Sequence, residues 1–166
     1  MSNFIPYGRQ NIIEADINSV IEVLNSDFLT QGPKVPMFEE KLAKISESKY
    51  VTAVNSATSA LHLSCLALGV KPGDIVWTVP NTFVATANCA LYCGAKIDFV
   101  DIDPFTSNLS VEALECKLDH AMKHAGLPKV ISPVHLSGEP CDMAAIKTLS
   151  YQDNFKIIED ASQAIG

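Results

Sequence analysis

The stretch Lys156-Ile157-Ile158-Glu159-Asp160-Ala161-Ser162-Gln163-Ala164-Ile165-Gly166 decides the fold. Ile157 and Ile158 form a short apolar run that reads as a buried strand. Glu159 and Asp160 follow at its end, and small residues come next. A charge placed where a buried strand ends is costly unless something pairs with it. In α/β folds that position is the rim of the sheet, where ligands bind. Asp160 therefore reads in two ways: as a carboxylate awaiting a cationic partner, or as the cap of a following helix, a place Asp favours.

Working outward, apolar runs alternate with helix-like stretches. Five strands are expected, at Tyr50–Val54, Ile75–Val79, Ile97–Val100, Val130–Val134 and Lys156–Ile158. Helical spacing lies between them at Ala60–Leu68, Thr82–Cys93, Val111–His124 and Met143–Leu149. Gly69, Pro72-Gly73, Gly94, Gly126 and Pro128 punctuate these units. The alternation implies a mostly parallel sheet with flanking helices. The strands lack polar alternation, as in a sheet covered on both faces. Ahead of them, Asn11–Leu24 and Val35–Ile45 have helical apolar spacing, parted by the turn-rich Asp27-Phe28-Leu29-Thr30-Gln31-Gly32-Pro33.

The 166 residues are 48% hydrophobic, enough for one core, and carry a net charge of -7. Twelve basic residues, scattered without a run, argue against a nucleic-acid surface. No apolar stretch approaches the roughly 20 residues of a membrane span. Met1–Pro6 lacks the basic region and apolar core of a signal peptide. Five cysteines, an odd number set mostly in apolar stretches, read as reduced. Together these features point to a cytoplasmic protein.

Several groups at strand ends could do chemistry. Asn55-Ser56-Ala57-Thr58-Ser59 hands a strand over to a helix, where free N–H groups, hydroxyls and the helix dipole suit a phosphate. Plain N-capping by Ser56 or Thr58 is the other reading. Neither a Gly-x4-Gly-Lys-Ser/Thr loop nor a Gly-x-Gly-x-x-Gly turn is present. Phe83, just past Pro80, is either an aromatic plate for a planar ligand or a core residue. His135 sits after the fourth strand, as a ligand contact or as a hydrogen-bonded structural histidine. Cys116, His120 and His124 share a helix face, but three ligands spread over two turns converge poorly on one ion, so no metal is expected. A planar, cationic, phosphorylated ligand suits the four rim positions, and pyridoxal 5'-phosphate is such a ligand, with Asp160 holding the ring nitrogen protonated.

The chain resembles the DegT/DnrJ/EryC1/StrS sugar-nucleotide aminotransferases. The resemblance rests on Asn55-Ser56-Ala57-Thr58-Ser59-Ala60-Leu61, Pro80–Asn88, Phe99-Val100-Asp101-Ile102-Asp103, Pro133–Gly138 and Glu159–Ala164, in the family's order over nearly the whole chain. The opening Ile5–Gln10 and Ser26–Pro33 are closest to the branch acting in pseudaminic acid synthesis. The resemblance implies the α/β large domain of fold-type I pyridoxal-phosphate transferases, here its N-terminal part, with 1–34 a substrate-side segment and 35–166 an incomplete cofactor-binding domain. It implies that Thr58, Ala57 and Ser59 hold the cofactor phosphate, that Phe83 stacks on the pyridine ring, that Asp160 pairs with the ring nitrogen and that Gln163 reaches the 3-oxygen. Tyr7 and Phe28, Leu29, Thr30 and Gln31 would line the sugar-nucleotide site. The implied reaction moves an amino group from L-glutamate to C4 of a UDP-linked 4-keto-6-deoxy-N-acetylamino sugar, in a homodimer.

One part of the family pattern is missing. The family's catalytic lysine lies in a Ser-x-His-x-x-Lys stretch beyond the position of Gly166, and none of the lysines here sits in such a motif. That lysine is the covalent anchor and the acid/base group. The expectation is an N-terminal piece of an aminotransferase that does not turn over alone and is poorly stable because strand edges stay open. Two other readings remain at this stage: a sugar dehydratase of the same fold, with histidine in the lysine's place, or a non-catalytic truncated module.

Overall fold

The computed structural model describes residues 9–124 and 126–165. The chain divides into two compact units, with the boundary between Ala53 and Val54.

In the first unit, α1 spans Glu14–Leu24 and α2 spans Lys34–Ile45. The α1 start is held by Asp16, whose Oδ2 accepts the Ile13 N–H at 2.9 Å. Neither helix has a buried residue: the apolar stripe Ile13, Ile17, Val20, Ile21 and Leu24 is exposed. The expected strand at Tyr50–Val54 does not form. The Ala53 N–H is taken by Glu39 Oε1 at 2.8 Å, and the segment joins no ladder among the described residues. A β-rich run becomes a strand only where a neighbour supplies its hydrogen bonds.

The second unit contains α3 (Ala57–Ala67), β1 (Ile75–Thr78), α4 (Ala85–Tyr92), β2 (Lys96–Phe99), α5 (Val111–His124), β3 (Val130–Ile131), α6 (Met143–Asp153) and β4 (Lys156–Ile157). The four strands are parallel, in the order β2-β1-β3-β4. Expected strand and helix positions recur to within a few residues, and the sheet is parallel as the alternation implied. Beyond the short β3 and β4, a Val134–Asp160 bridge continues the pairing.

Successive strand residues point to opposite faces. Val76 and Val130 pack with Leu61, Cys65, Cys89 and Ala90 of α3 and α4. Their neighbours Trp77 and Ile131 pack with Leu114, Leu118, Ile146 and Leu149 of α5 and α6. Both faces of the sheet are therefore covered, which is why its strands need no polar alternation. Gly94, between α4 and β2, has φ +73°, and a Cβ there would lie 2.9 Å from Pro72 Cγ, so the tight turn requires glycine.

The chain leaves β1 for the β2 edge, then crosses back to β3. That reversal opens a crevice at the carboxyl ends of β1 and β3, the usual ligand position in such sheets. Buried hydroxyls hold this rim together. Thr78 Oγ1 donates to Ser132 O at 2.8 Å, and Ser132 Oγ donates to Ile158 O at 2.9 Å.

Candidate functional site

The crevice is a pocket of about 220 Å³, lined by Ala57, Thr58, Thr82, Phe83, His135, Asp160, Ser162 and Gln163 over an apolar floor of Leu61, Ala85, Val134 and Leu136. Its residues come from the start of α3 and from the segments after β1, β3 and β4. Sequence positions more than a hundred residues apart therefore meet at one rim.

Ser56 caps α3: its Oγ accepts the Ser59 N–H at 3.2 Å. The N–H groups of the first helical turn, those of Ala57 and Thr58 among them, have no partner within the helix. Both residues line the pocket. Ser59 does not; its hydroxyl donates to Asn55 Oδ1 at 2.7 Å. The capping reading holds for Ser56, and Ala57 and Thr58 beside it face the crevice.

Phe83 is 75% exposed and lines the pocket, which excludes the core reading. It lies just before α4, in the turn that follows β1.

Asp160 is only 7% exposed. The described residues that follow it, 161–165, form a turn, with Ala164 N–H donating to Ala161 O at 3.0 Å. Its main chain is anchored on both sides, N–H to Pro133 O at 2.9 Å and C=O from His135 N–H at 3.1 Å. Its Oδ2 accepts from Thr86 Oγ1 at 2.6 Å, and its Oδ1 from Ser162 Oγ at 2.6 Å and Ser162 N–H at 3.3 Å. Among the described residues it forms no ion pair. A buried carboxylate supplied only with neutral donors is an acceptor for a cation.

His135 is buried, and its ring is fixed from both sides. Nδ1 accepts the Cys141 N–H at 3.1 Å, so the ring proton sits on Nε2, 3.2 Å from Glu159 Oε2. It is both a structural histidine and part of the pocket wall. Gln163 Oε1 accepts the Ser137 N–H at 2.8 Å.

Phe28, Leu29, Thr30 and Gln31 lie in the first unit, all exposed, lining a groove with Glu22, Val23 and Ser26. Tyr7 lies outside the described residues. Cys116 is exposed, and the His120 and His124 rings lie 4.8 Å apart, tilted by 44°. No metal-binding group of three His, Cys, Asp or Glu residues occurs among the described residues.

The sequence profile of the DegT/DnrJ/EryC1/StrS aminotransferase family matches residues 10–166. The chain belongs to this family. It is 42% identical over 162 residues to the UDP-4-amino-4,6-dideoxy-N-acetyl-beta-L-altrosamine transaminase of Campylobacter jejuni, covering 98% of this chain and 42% of that one. A crystal structure of a family member from Brucella abortus superposes with a TM-score of 0.85 at 34% identity, over 90% of this chain and 40% of that one. A Bacillus subtilis structure with bound cofactor PMP superposes with a TM-score of 0.81 at 37% identity, over 90% of this chain and 33% of that one. The chain thus spans about two fifths or less of each of these relatives.

Pyridoxal phosphate, or its amino form PMP, is the cofactor of this family. The residues present fit it by their own chemistry: a buried carboxylate without an ion pair among the described residues, an exposed aromatic side chain in the same pocket, and a helix start turned to it. Thr82 and Ser162 line the pocket, Thr86 lies behind Asp160, and none of the three drew a role from sequence. Thr82 and Thr86 stand four apart at a helix start, and Ser162 stands two after Asp160. Both are spacings that bring side chains together. No helix among the described residues is long and apolar enough to cross a membrane.

Proposed function

We propose that this chain supplies the cofactor-binding part of a pyridoxal-phosphate-dependent sugar-nucleotide aminotransferase, with residues 1–34 on the substrate side and 35–166 in the cofactor-binding domain. The amino donor is L-glutamate, and the acceptor is C4 of a UDP-linked 4-keto-6-deoxy-N-acetylamino sugar, in the cytoplasmic synthesis of a pseudaminic-acid-type surface glycan. The full enzyme works as a homodimer. The identity to the Campylobacter jejuni transaminase supports the substrate class. The observation that carries the reading is Asp160: buried, without an ion pair among the described residues, and in one pocket with Thr58 and Phe83.

When bound, the cofactor supplies an electron sink that carries an amino group between donor and acceptor. Asp160 holds a proton on the ring nitrogen, because a carboxylate beside a pyridinium favours the charged form of both. Phe83 covers one ring face and excludes water from it. The start of α3, with Ala57 and Thr58, takes the phosphate, and Ser59, bound to Ser56 and Asn55, braces that turn. Gln163 donates from its amide nitrogen to the 3-oxygen. Tyr7 and Phe28–Gln31 bind the sugar nucleotide. None of the lysines here lies in a Ser-x-His-x-x-Lys stretch, so the covalent anchor and proton shuttle are not among these 166 residues.

The test incubates the purified protein with pyridoxal phosphate, L-glutamate and UDP-linked 4-keto-6-deoxy-N-acetylamino sugars of both C5 configurations and follows the amino sugar by mass spectrometry. The 166-residue chain alone should bind the cofactor without turnover, and joined to the remainder of a family member it should form product. Product from the 166 residues alone, or none from the joined protein, would count against the assignment.

A further inference from the structure

The carboxylate of Asp160 is oriented by a chain of hydroxyls that begins on another element. Thr86, on α4, is wholly buried. Its Oγ1 lies 2.6 Å from Asp160 Oδ2, 3.1 Å from Phe83 O and 2.8 Å from Thr82 Oγ1. One hydroxyl has one proton to give. The short contact to a charged acceptor outcompetes the longer one to a neutral carbonyl, so Thr86 donates to Asp160. Thr82 then donates into the Thr86 oxygen, and the two hydroxyls polarise in the same direction.

The acceptor count on Asp160 is uneven. Oδ1 receives two donors, the hydroxyl and the N–H of Ser162, whereas Oδ2 receives one. A carboxylate oxygen has about two acceptor positions. Oδ2 therefore keeps one open, and Oδ1 does not.

We propose that Thr86, backed by Thr82, is the positioning residue that holds the Asp160 carboxylate turned so that Oδ2 receives the cofactor's ring N–H. This rests on the cofactor reading above. Thr86 has no path to the ring itself; it acts through Asp160. Because Thr86 is buried, nothing replaces its hydrogen bond when it is lost. Ser162 is exposed, and its N–H stays after substitution, so its hydroxyl matters less.

The experiment titrates pyridoxal phosphate into the protein and into Thr86→Val, Thr86→Ser, Ser162→Ala and Asp160→Asn. It reads affinity, the absorption band that reports ring-nitrogen protonation, and the melting temperature. Thr86→Val, which keeps the shape without the hydroxyl, should bind roughly 10- to 100-fold more weakly, the span expected for losing a hydrogen bond to a charged group. Its band should shift toward the unprotonated ring while its melting temperature moves little. Thr86→Ser should restore both affinity and band, and Ser162→Ala should lose less than Thr86→Val. Wild-type affinity and band in Thr86→Val would overturn the proposal, as would equal loss in Thr86→Val and Thr86→Ser with a lowered melting temperature. Absence of binding by the wild type, or full binding by Asp160→Asn, would overturn the cofactor reading beneath it.

Discussion

The main-chain N–H of Ser137 donates to the side-chain Oε1 of Gln163 at 2.8 Å, joining the turn after β3 to the segment after β4. Ser137 holds a left-handed conformation (φ 54°, ψ 21°), which turns its N–H toward Gln163. With Oε1 committed as acceptor, both protons on Gln163 Nε2 are left for another partner. A pocket-lining amide presenting only donors suits an electron-rich oxygen, which is the character of the cofactor's 3-oxygen.

Gln163→Glu separates these two duties. The carboxylate still accepts from Ser137 but has no proton to offer, and it adds negative charge beside Asp160. Pyridoxal phosphate affinity should fall by about tenfold or more, with little change in melting temperature. Equal affinity for wild type and variant in an equilibrium titration would remove Gln163 from the cofactor's contacts.

The neighbouring Gly138 has φ +89°, and a Cβ there would stand 3.1 Å from the main-chain oxygen of Gln163. Strain and contact act together, and the contact is with backbone, which gives little. Gly138→Ala should cost about 1–2 kcal/mol, a drop in melting temperature of roughly 2–8 °C. It should also weaken cofactor binding, because the displaced turn holds Gln163. Calorimetry with and without pyridoxal phosphate checks both; an unchanged melt would mean that the turn relaxes freely.

Most of the sheet is legible in sequence because its signal is local. Val76-Trp77 and Val130-Ile131 are apolar runs whose two faces are both covered, and Gly94 marks its own turn. Tyr50–Val54 has the same local signal and forms no strand, since strand formation depends on a partner and Ala53 has given its N–H to Glu39. The site divides in the same way. Thr58, Phe83, His135, Asp160 and Gln163 stand at strand ends or helix starts, where position betrays them, and the structure brings them into one pocket. At Asp160 the cap and the ligand partner read alike in sequence, since a helix start cannot be told from a turn when only small residues follow. Thr86 was hidden because its meaning lies in a contact 74 residues away.

Asp74 and Lys129 pair at 2.8 Å across the amino-terminal ends of β1 and β3, and Lys129 also reaches Gly69 O. The hydrogen bond from Lys129 holds the Asp74 carboxyl below its ordinary value of 3.8, aided by the Lys71 N–H and opposed by burial. A depressed folded-state pKa stabilises the fold above the unfolded value, and that stability is lost as pH falls through the folded one. Asp74→Asn should therefore be less stable than wild type at pH 7, and the gap should close progressively below pH 3.8. Urea unfolding of both proteins across that range tests it. A gap that persists or widens in acid would reverse the sign.

The five cysteines should separate into one reactive thiol and four silent ones. Cys116 is exposed on α5, while Cys65, Cys89, Cys93 and Cys141 are buried. The thiolate is the nucleophile, so both access and ionisation matter. Cys65 donates to Cys89 Sγ at 3.5 Å, and that bond, then burial, holds the Cys65 proton in place. Burial, then the neighbouring Cys89, pushes Cys93 up, and burial is the leading cause for Cys141. A disulfide-exchange reagent should label one thiol rapidly in the folded protein and all five in denaturant. Cys116→Ser should erase the fast phase. Rapid labelling of Cys65 or Cys89 would mean that the layer of α3 and α4 opens readily from the sheet, and with it the floor of the pocket, since Leu61 and Ala85 lie one helical turn before those two cysteines.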